Sequence, residues 1–589
     1  MKPFVSQPLV SRSNPLSPLW LRWLVIFLIV VGVVFRFVNL NHKVYWHDEV
    51  YTSLRAAGYT GQEIGQEIFQ NKLFSPQDLL QYQQIKPGST PADTVRSLAV
   101  EDPQHPPLYF LLNRVWVQWL GKPLEAIFGS PITAPRLLPV LISLLSLPFM
   151  YALAQELFAS QAIALLATAF LALSPFDILF AQVARQYSLL ALAVIASHYF
   201  LLRAIRLSKV PKTRSRDVCQ RPPAAWQHWG LYALAITIGL YTQPFFALTL
   251  IGHGVYVVLE AIADGQRDRL QQRLAGFGLA LTAAIMLYAP WIIVMLQGFQ
   301  RALDTTSWAT AVAGFDYLLK LWTLSFTALF LDLDFGFNNP WTFVLRVPII
   351  VLIGMAFYTL VRRSDRPVWL FVVTATVVPF LLLALPDLVL GSRRSAVSRY
   401  LIACYPGIQL AIAYLIVTKL PPKPHYLNRI PLRSTGASRF RFRFTPYTLS
   451  FLNRWFWRTV LFALFTASLV SCTVSAASDT WWHNVPSYFN AAVARRVNVA
   501  PSPLVVSDRG DDFTNIADLI SLSYQLQPNV RLLLLNQDAN WVTTESFKSQ
   551  IDGATVFTFR PSNQLRQGLE RSRGSLQFIL PAARLWQVP

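Results

Sequence analysis

The feature that most constrains the fold of this chain is a series of long apolar runs. Only 14% of the 589 residues are charged and 53% are apolar, whereas about 25% of residues are charged in soluble domains. About 20 apolar residues in a row cross a bilayer as a helix. The sequence therefore predicts a mainly α fold, a polytopic transmembrane helical bundle of about 11 to 13 helices in the cell membrane. The clear spanning candidates are 19–38, 134–156, 162–181, 187–206, 229–247, 249–263, 276–298, 341–361, 368–390, 401–418 and 458–477.

Basic residues distinguish a topology with eleven spans from one with thirteen, because loops rich in Lys and Arg stay in the cytoplasm. Residues 203–221 carry seven Lys/Arg, and residues 423–458 carry eight. Eleven spans place both loops inside, whereas thirteen would place 203–221 outside. Two more polar segments, 105–120 and 315–333, are therefore predicted to be interfacial or re-entrant helices on the external side. This topology has a cytoplasmic N-terminus and an external (periplasmic) C-terminus.

Four regions follow from this topology. They are 1–38, the N-terminus and first span; 39–104, an external loop with amphipathic helices at 48–57 and 61–69; 105–477, the multi-span core; and 478–589, a small external α/β domain. In the last region, strands that alternate with a helical stretch indicate an α/β layer. The predicted strands are 503–507, 531–535, 554–559 and 575–580, and the helix is 511–526. The stretch 507–512, where a strand ends, suits a ligand loop or an ordinary helix cap, and we favour the cap.

Two adjacent carboxylates, Asp48 and Glu49, follow the first span. Acidic side chains at a bilayer are costly to desolvate, so their placement usually has a use. A carboxylate on the aqueous face could deprotonate an acceptor while the membrane holds a lipid-linked donor. The alternative is that the pair only caps an interfacial helix.

Three arginines, Arg393, Arg394 and Arg399, fall in a short loop that the eleven-span topology places outside. They oppose the positive-inside bias of membrane proteins. An anionic ligand would explain them, since a guanidinium group can bind two phosphate oxygens at once. The alternative is an anchor for lipid headgroups.

Other ligand classes lack support in the sequence. It contains no Walker loop, dinucleotide fingerprint or metal-ligand spacing, so no nucleotide cofactor is expected. The net charge of +21 is concentrated in the membrane part, where basic residues set the topology. The alternating Arg/Phe stretch at 439–444 suits a cytoplasmic loop against the membrane better than a nucleic-acid site, so no nucleic-acid partner is expected.

Several short motifs occur in order along the membrane part. They are Asp48-Glu49, the segment Asp102-Pro103-Gln104-His105-Pro106-Pro107-Leu108-Tyr109, the stretch 129–136, Ser174-Pro175 followed by Arg185-Gln186-Tyr187, the stretch 240–247, and Ser398-Arg399-Tyr400. Their order and spacing resemble the GT-C type membrane glycosyltransferases. The closer resemblance is to the family 39-like enzymes, which include protein O-mannosyltransferases and aminoarabinose transferases. The chain departs from this pattern at Gln243, where many relatives have histidine, and at His105, where the aminoarabinose branch has lysine.

The resemblance implies transfer of a sugar, with inversion, from a polyprenyl-phosphate-linked donor to a lipid, glycan or protein acceptor at the external membrane face. It implies that Asp48 is the general base and that Glu49 supports the site. The residues expected to bind donor phosphate or substrate are His105, Arg185, Tyr187, Tyr241, Arg393, Arg394, Arg399 and Tyr400. A divalent metal could be ligated by Asp48, Glu49, Asp102 and His105, although their spacing is not diagnostic.

Two other functional classes remain open. A transporter or flippase of a lipid-linked or small polar substrate would bind near the bilayer midplane, often between repeated halves. Here the unusual polar residues gather at helix ends on one side, and no internal repeat is evident. The other class is a non-enzymatic sensor with a degenerate transferase core, against which the intact Asp48-Glu49 pair argues.

Overall fold

The computed structural model describes residues 19–208, 223–264, 267–420, 446–511, 515–536 and 541–589. The predicted basic loops at 203–221 and 423–458 and the Arg/Phe stretch at 439–444 lie wholly or largely outside the described residues.

A region of short helices follows the first apolar helix. Its elements are α1 (Leu19–Phe35), α2 (His47–Ala57), α3 (Gly61–Ile68), β1 (Lys72–Phe74), α4 (Pro76–Leu80) and α5 (Pro91–Glu101). Local signals start these helices: the Thr60 hydroxyl accepts from the Glu63 N–H at 3.1 Å to cap α3, and Ser75 and Asp78 form a capping box on α4. Helices α2 and α3 lie at the positions predicted for the two amphipathic helices, 48–57 and 61–69.

The helical core follows this region and contains most of the apolar runs. Its elements are α6 (Leu108–Phe128), α7 (Thr133–Phe158), α8 (Gln161–Ala172), α9 (Pro175–Ala181), α10 (Tyr187–Leu207), α11 (Pro223–Thr242), α12 (Phe246–Asp264), α13 (Arg267–Gln297), α14 (Phe299–Thr306), α15 (Phe315–Thr327), α16 (Trp341–Val344), α17 (Val347–Arg363), α18 (Arg366–Leu390), a 3₁₀ segment (Ser398–Cys404), α19 (Tyr405–Lys419) and α20 (Pro446–Ala477). In the described part of the chain, eight helical segments are long and apolar enough to cross a membrane. The protein is therefore a multi-pass membrane protein, as predicted.

The eight segments lie in α7, α10, α12, α13, α16 with α17, α18, the 3₁₀ segment with α19, and α20. The predicted span 162–181 is instead the helix pair α8 and α9, which bend by 54° and would add a ninth span if they cross together. The bend has a local cause: Pro175 has no N–H with which to continue α8, and the Ser174 hydroxyl caps α9 through the Asp177 N–H at 3.3 Å.

Four other predicted segments form helices but are not among the eight candidate spans. The described residues of α1 give a short apolar helix over 22–35, and α11 carries polar residues in its first turns. The more polar segments 105–120 and 315–333 correspond to α6 and α15. Neither α6 nor α15 is among the candidate spans, and their place at the external interface stays a prediction.

Helix α1 packs closely against the end of α8. A Cβ on Gly32 would lie 2.2 Å from the carbonyl oxygen of Ala172. Just after α1, the buried Arg36 donates to the Leu171 carbonyl at 3.1 Å and to the Ser143 hydroxyl at 3.1 Å. The last carbonyls of a helix lack partners within that helix, so Arg36 supplies donors that the end of α8 needs.

The C-terminal region forms an α/β layer. Its elements are α21 (Asn490–Asn498), β2 (Pro503–Asp508), α22 (Asn515–Ser523), β3 (Arg531–Leu535), α23 (Glu545–Ile551), β4 (Thr555–Phe559), α24 (Asn563–Arg573), β5 (Gln577–Leu580) and β6 (Leu585–Gln587). The sheet order is β1-β3-β2-β4-β6-β5, and β2 pairs in parallel with both β3 and β4. The four predicted strands are present, and β6 is an addition.

The loop 39–104 supplies the edge strand of this sheet. β1 pairs antiparallel with β3, with Lys72 opposite Leu534 and Phe74 opposite Leu532. The sheet therefore unites parts of 39–104 and 478–589, which the sequence alone places in separate regions. A strand of three residues is too short for an alternating pattern to identify it.

Replacing Gly32 by Ala should destabilise the helical core, because the added methyl group would collide with the backbone of α8. Overpacking of this kind costs about 1–3 kcal/mol, so we expect a lower unfolding temperature for the purified protein in detergent. Gly354→Ala in α17 is the matched control, since a Cβ there meets no atom within 4 Å. Equal unfolding temperatures for the two variants would contradict the close packing of α1 on α8.

Candidate active site

The acidic pair lies in the first turn of α2. The Glu49 carboxylate accepts from the Trp46 N–H at 2.9 Å and so satisfies a donor that the helix start leaves open. The His47 N–H donates to the Ser487 hydroxyl at 3.0 Å, so the C-terminal region also holds this turn. Asp48, which lies between these anchored residues, is partly exposed and lines a cavity.

Glu49 is fully buried and forms an ion pair with Arg136 of α7. Arg136 Nη2 donates to Oε2 at 2.7 Å, and Nε donates to Oε1 at 2.8 Å. Other N–H groups of Arg136 bind backbone carbonyls between residues 40 and 44. Glu49 Oε1 also accepts from the Ala184 N–H at 2.8 Å. Neither Glu49 nor the partners of its carboxylate line the cavity, so Glu49 fixes the position of α2.

Arg185 follows Ala184 and reaches the start of α2. Its Nη1 donates to the Thr52 hydroxyl at 3.1 Å and to the Asp48 carbonyl at 3.3 Å. Its Nη2 lies 3.8 Å from the Asp48 carboxylate and 3.2 Å from His105 Nε2. Glu49 thus positions both members of the Asp48–Arg185 pair, the first through α2 and the second through the Ala184 N–H.

The charges around Asp48 keep its carboxyl group ionised at neutral pH. Burial acts to raise the pKa of Asp48, but the positive charges of Arg185 and Arg399 outweigh this effect and hold the pKa below its ordinary value. Burial, together with the Arg185 charge, lowers the pKa of His105 to about 4. The His105 ring is therefore neutral at neutral pH and can accept a hydrogen bond from Arg185.

Arg399, in the 3₁₀ segment before α19, lies among three aromatic rings. Its Cζ is 5.4 Å from the ring centroid of Trp46 and 5.7 Å from those of Trp308 and Tyr400. Cation–π contacts at these distances hold a guanidinium group by its faces. The N–H groups at its edge are then suited to an anion.

The other two predicted arginines precede Arg399 on the same loop and line the same cavity. Arg393 Nε donates to the Trp308 carbonyl at 2.9 Å, and the Arg393 N–H donates to the Ala309 carbonyl at 3.1 Å. Arg393 thus ties this loop to the segment that follows α14. No hydrogen bond from the Arg394 side chain to another described residue is present, so Arg394 is the more available of the two for a ligand.

One cavity of about 1650 Å³ brings most of the predicted site residues together. Its lining includes Asp48, Asp102, His105, Arg185, Tyr187, Arg393, Arg394, Arg399 and Tyr400. Glu49 and Tyr241 are not part of the lining. The Tyr241 hydroxyl donates to the Leu287 carbonyl at 2.8 Å and so connects α11 to α13. The structure therefore gives Tyr241 a contact between helices in place of the expected contact with substrate.

The four residues that could ligate a metal do not form a ligand set. The Glu49 carboxylate is taken by Arg136. Asp102 Oδ2 accepts from Arg55 Nη2 at 2.7 Å and from Arg55 Nε at 2.9 Å. Within the described ranges, no three His, Cys, Asp or Glu side chains are grouped as metal ligands would be. These residues therefore do not fit a divalent metal.

Three residues of this site were not assigned a role from the sequence. Arg136 is the last residue of the motif 129–136. The order of this motif along the chain contributes to the family resemblance, but it assigns no role to Arg136. Trp46 is adjacent to the acidic pair, and its contact with Arg399 could not be read from that position. Trp308 carries no sequence signal, because only the folding of the segment after α14 brings it to the loop of Arg399.

Replacing Arg136 by Met should destabilise the protein by roughly 3–5 kcal/mol, because it leaves the charge of Glu49 buried without a partner. The measurement is unfolding of the purified protein by heat or denaturant. Lys548→Met removes a partner of an exposed ion pair in the C-terminal region and should change stability too little to resolve. Wild-type stability of the Arg136→Met variant would show that the buried pair does not hold the site together.

Solved membrane-protein structures have a similar fold. ArnT from Cupriavidus metallidurans bound to undecaprenyl phosphate matches with a TM-score of 0.50 and 14% sequence identity, over 96% of this chain and 98% of that chain. The archaeal oligosaccharyltransferase AglB from Archaeoglobus fulgidus, in complex with an inhibitory peptide and a dolichol-phosphate, matches with a TM-score of 0.43 and 10% identity, over 97% and 74% of the two chains. The sequence matches no protein-family model and no curated protein. At 14% identity the likeness concerns the fold alone, and this chain has the fold of ArnT.

Proposed function

We propose that this protein is a membrane glycosyltransferase that transfers a sugar, with inversion, from a polyprenyl-phosphate-linked donor to a hydroxyl group of a lipid, glycan or protein at the external membrane face. The observation that carries the proposal is the ionised Asp48 in a large cavity, beside Arg185 and in the field of Arg399. Both membrane helices and the C-terminal layer line this cavity, so a lipid-linked donor and a water-borne acceptor group could meet there.

Asp48 is the general base of the proposed reaction. Its carboxylate takes the proton of the acceptor hydroxyl while the hydroxyl oxygen attacks the anomeric carbon of the sugar. A carbon–oxygen bond to the acceptor forms, and the bond from the anomeric carbon to the phosphate oxygen breaks with its electron pair. Polyprenyl phosphate leaves from the opposite face of the sugar, which inverts the configuration.

Arg185, Arg394 and Arg399 stabilise the departing phosphate. Its negative charge grows as the bond breaks, and guanidinium groups fixed beforehand need little reorganisation to stabilise it. The aromatic rings around Arg399 provide this fixation. ArnT, whose fold this chain shares, is bound to undecaprenyl phosphate in its solved structure, which supports a polyprenyl phosphate as the ligand.

His105 and Tyr187 orient Arg185 in this proposal. His105 accepts from Arg185 Nη2, and the Tyr187 ring centroid lies 5.9 Å from Arg185 Cζ. Because the His105 ring is neutral, it cannot supply the positive charge that a lysine has at this position in the aminoarabinose branch. Arg185, Arg394 and Arg399 are therefore the cations that this chain offers to the donor phosphate, with Tyr400 beside Arg399.

Asp48→Asn should reduce sugar transfer at least about 100-fold, because an amide cannot accept the acceptor proton. Binding of undecaprenyl phosphate should stay close to wild type, since the arginines are unchanged. The measurement is transfer from a polyprenyl-phosphate-linked sugar by the protein in nanodiscs, with binding followed in parallel.

Asp304→Asn is the matched control, because Asp304 lines the same cavity outside the proposed reacting group. We expect this variant to keep most of its activity. Near-normal transfer by Asp48→Asn would contradict the proposed base. Net movement of the lipid-linked sugar across proteoliposomes without transfer would favour a flippase instead.

Arg185→Gln should move the acidic limb of the pH–activity profile to higher pH. Arg185 holds the pKa of Asp48 below its ordinary value, and without this positive charge the carboxyl group binds a proton at a higher pH. Less of the base is then ionised at any acidic pH. The profile of kcat/KM against pH for variant and wild type measures the shift. An unshifted acidic limb would show that Arg185 does not lower the pKa of the base.

A further inference from the structure

The C-terminal layer has the strand order of a doubly wound α/β fold. β2 lies between β3 and β4 and is parallel to both. The chain passes from β2 through α22 to β3 on one side, and then returns through α23 to β4 on the other side. In such sheets the strand order reverses at the central strand, and ligands bind in the crevice beyond the carboxyl ends of the strands at this point.

The loops at these carboxyl ends are fixed to each other. Asp508, the last residue of β2, is buried, and its Oδ1 accepts from the Ser562 N–H at 2.9 Å and from the Gly510 N–H at 3.0 Å. Asp508 therefore joins the loop after β2 to the loop after β4. Asp511 of the same loop accepts from the N–H of Asn563, the first residue of α24, at 3.1 Å, so part of the stretch 507–512 does cap a helix. The two loops form one preorganised edge.

This edge faces the candidate active site. Arg509 and Asp511 from the first loop and Arg560 from the second line the same cavity as Asp48. The charges of Asp518 and Arg560 also act on the ring of His47, the residue that precedes Asp48. The crevice at the reversal point and the proposed base are therefore parts of one continuous space.

His47 is an unsatisfied polar group at this junction. The residue is 9% exposed, its ring lines the cavity, and Nδ1 has no hydrogen-bond partner among the described residues. Its ring packs edge-on against Tyr51, with centroids 5.0 Å apart. Nearly all buried polar side-chain atoms in proteins have a partner, so a ligand group in this space is the natural partner for His47 Nδ1.

Arg509 brings a positive charge to the same crevice. A Cβ on Gly65 would lie 2.8 Å from Arg509 Nη2, so the glycine leaves room for the guanidinium group to lie across α3. None of the ion pairs between described residues includes Arg509, whereas Arg560 is paired with Asp518 at 2.6 Å. Arg509 is thus a cation at a cavity wall whose charge the described carboxylates do not neutralise.

The arginines that line the cavity come from different parts of the fold. Arg185, Arg394 and Arg399 belong to the membrane core, and Arg509 belongs to the C-terminal layer. A polyprenyl phosphate offers one phosphate group, which the arginines of the membrane core can bind beside Asp48. Arg509 is then available for an anion on the other substrate.

We propose that the crevice between the loops after β2 and β4 is the acceptor subsite, and that it takes an acceptor with a phosphate or carboxylate group near its reacting hydroxyl. Arg509 binds the anion, and His47 Nδ1 bonds to a polar group of the same molecule. This subsite rests on the proposed function for its role in transfer, although binding of an anionic molecule there can be measured without any transfer.

The test uses the full chain in nanodiscs, first saturated with undecaprenyl phosphate to occupy the arginines of the membrane core. The probes are glycerol 3-phosphate and glucuronate, each compared by calorimetry with its neutral counterpart, glycerol and glucose. We expect the anionic probes to bind. Arg509→Gln should weaken this binding at least about tenfold, since a hydrogen bond to a charged group is lost, and Arg509→Lys should recover part of it.

Arg573→Gln is the matched control, because Arg573 is exposed at the far end of α24 and should leave probe binding unchanged. Wild-type affinity in Arg509→Gln, or equal affinity for neutral and anionic probes, would overturn the subsite. So would probe binding that disappears once undecaprenyl phosphate is present. An unchanged unfolding temperature of Arg509→Gln shows that a loss of binding is local.

The Asp48→Asn variant separates this proposal from the proposed function. It should bind the anionic probes like the wild type, because the subsite does not require the base. If Asp48→Asn still transfers sugar while Arg509→Gln loses the probes, the proposed base fails and the subsite stands. If Asp48→Asn is inactive and Arg509→Gln binds the probes normally, the subsite fails and the base stands.

Discussion

The buried ion pair of Glu49 with Arg136 is the interaction on which the arrangement of the site depends. It joins α2 to α7, and the same carboxylate accepts the N–H of Trp46 and the N–H of Ala184. A buried pair contributes little net stability compared with apolar packing, but the loss of one partner is costly. Its main consequence is therefore geometric. Asp48 directly precedes Glu49, and Arg185 directly follows Ala184. The relative positions of Asp48 and Arg185 are therefore set before any ligand binds.

The site combines residues from regions that the sequence separates widely. Asp48, the proposed base, comes from the loop 39–104, the arginines beside it come from helix ends of the helical core, and the C-terminal region holds the turn of Asp48 through Ser487. Trp46 belongs to the same assembly, since its Nε1 donates to the Val485 carbonyl at 2.9 Å and its ring lies over Arg399. The positions of the charged groups in the cavity therefore depend on the packing of the C-terminal layer against the helical core.

The sequence predicts the parts of this fold that are encoded locally. Long apolar runs indicate the helices, and the ordered motifs indicate Asp48, Arg185 and Arg399, because each lies beside a helix end with an unusual charge. Contacts between distant segments carry no such local signal. The role of Glu49 depends on Arg136, which lies 87 positions away, and Tyr241 lies in a motif but bonds to a neighbouring helix. The bend between α8 and α9 depends on one proline inside an apolar run.

The pairing of β1 with β3 constrains how the chain is threaded through the bilayer. Strands of one sheet lie on the same side of a membrane, so the chain crosses an even number of times between Phe74 and Arg531. The eight long apolar segments alone satisfy this parity. If α8 and α9 cross together as a ninth span, parity requires one more crossing, which α11 can supply.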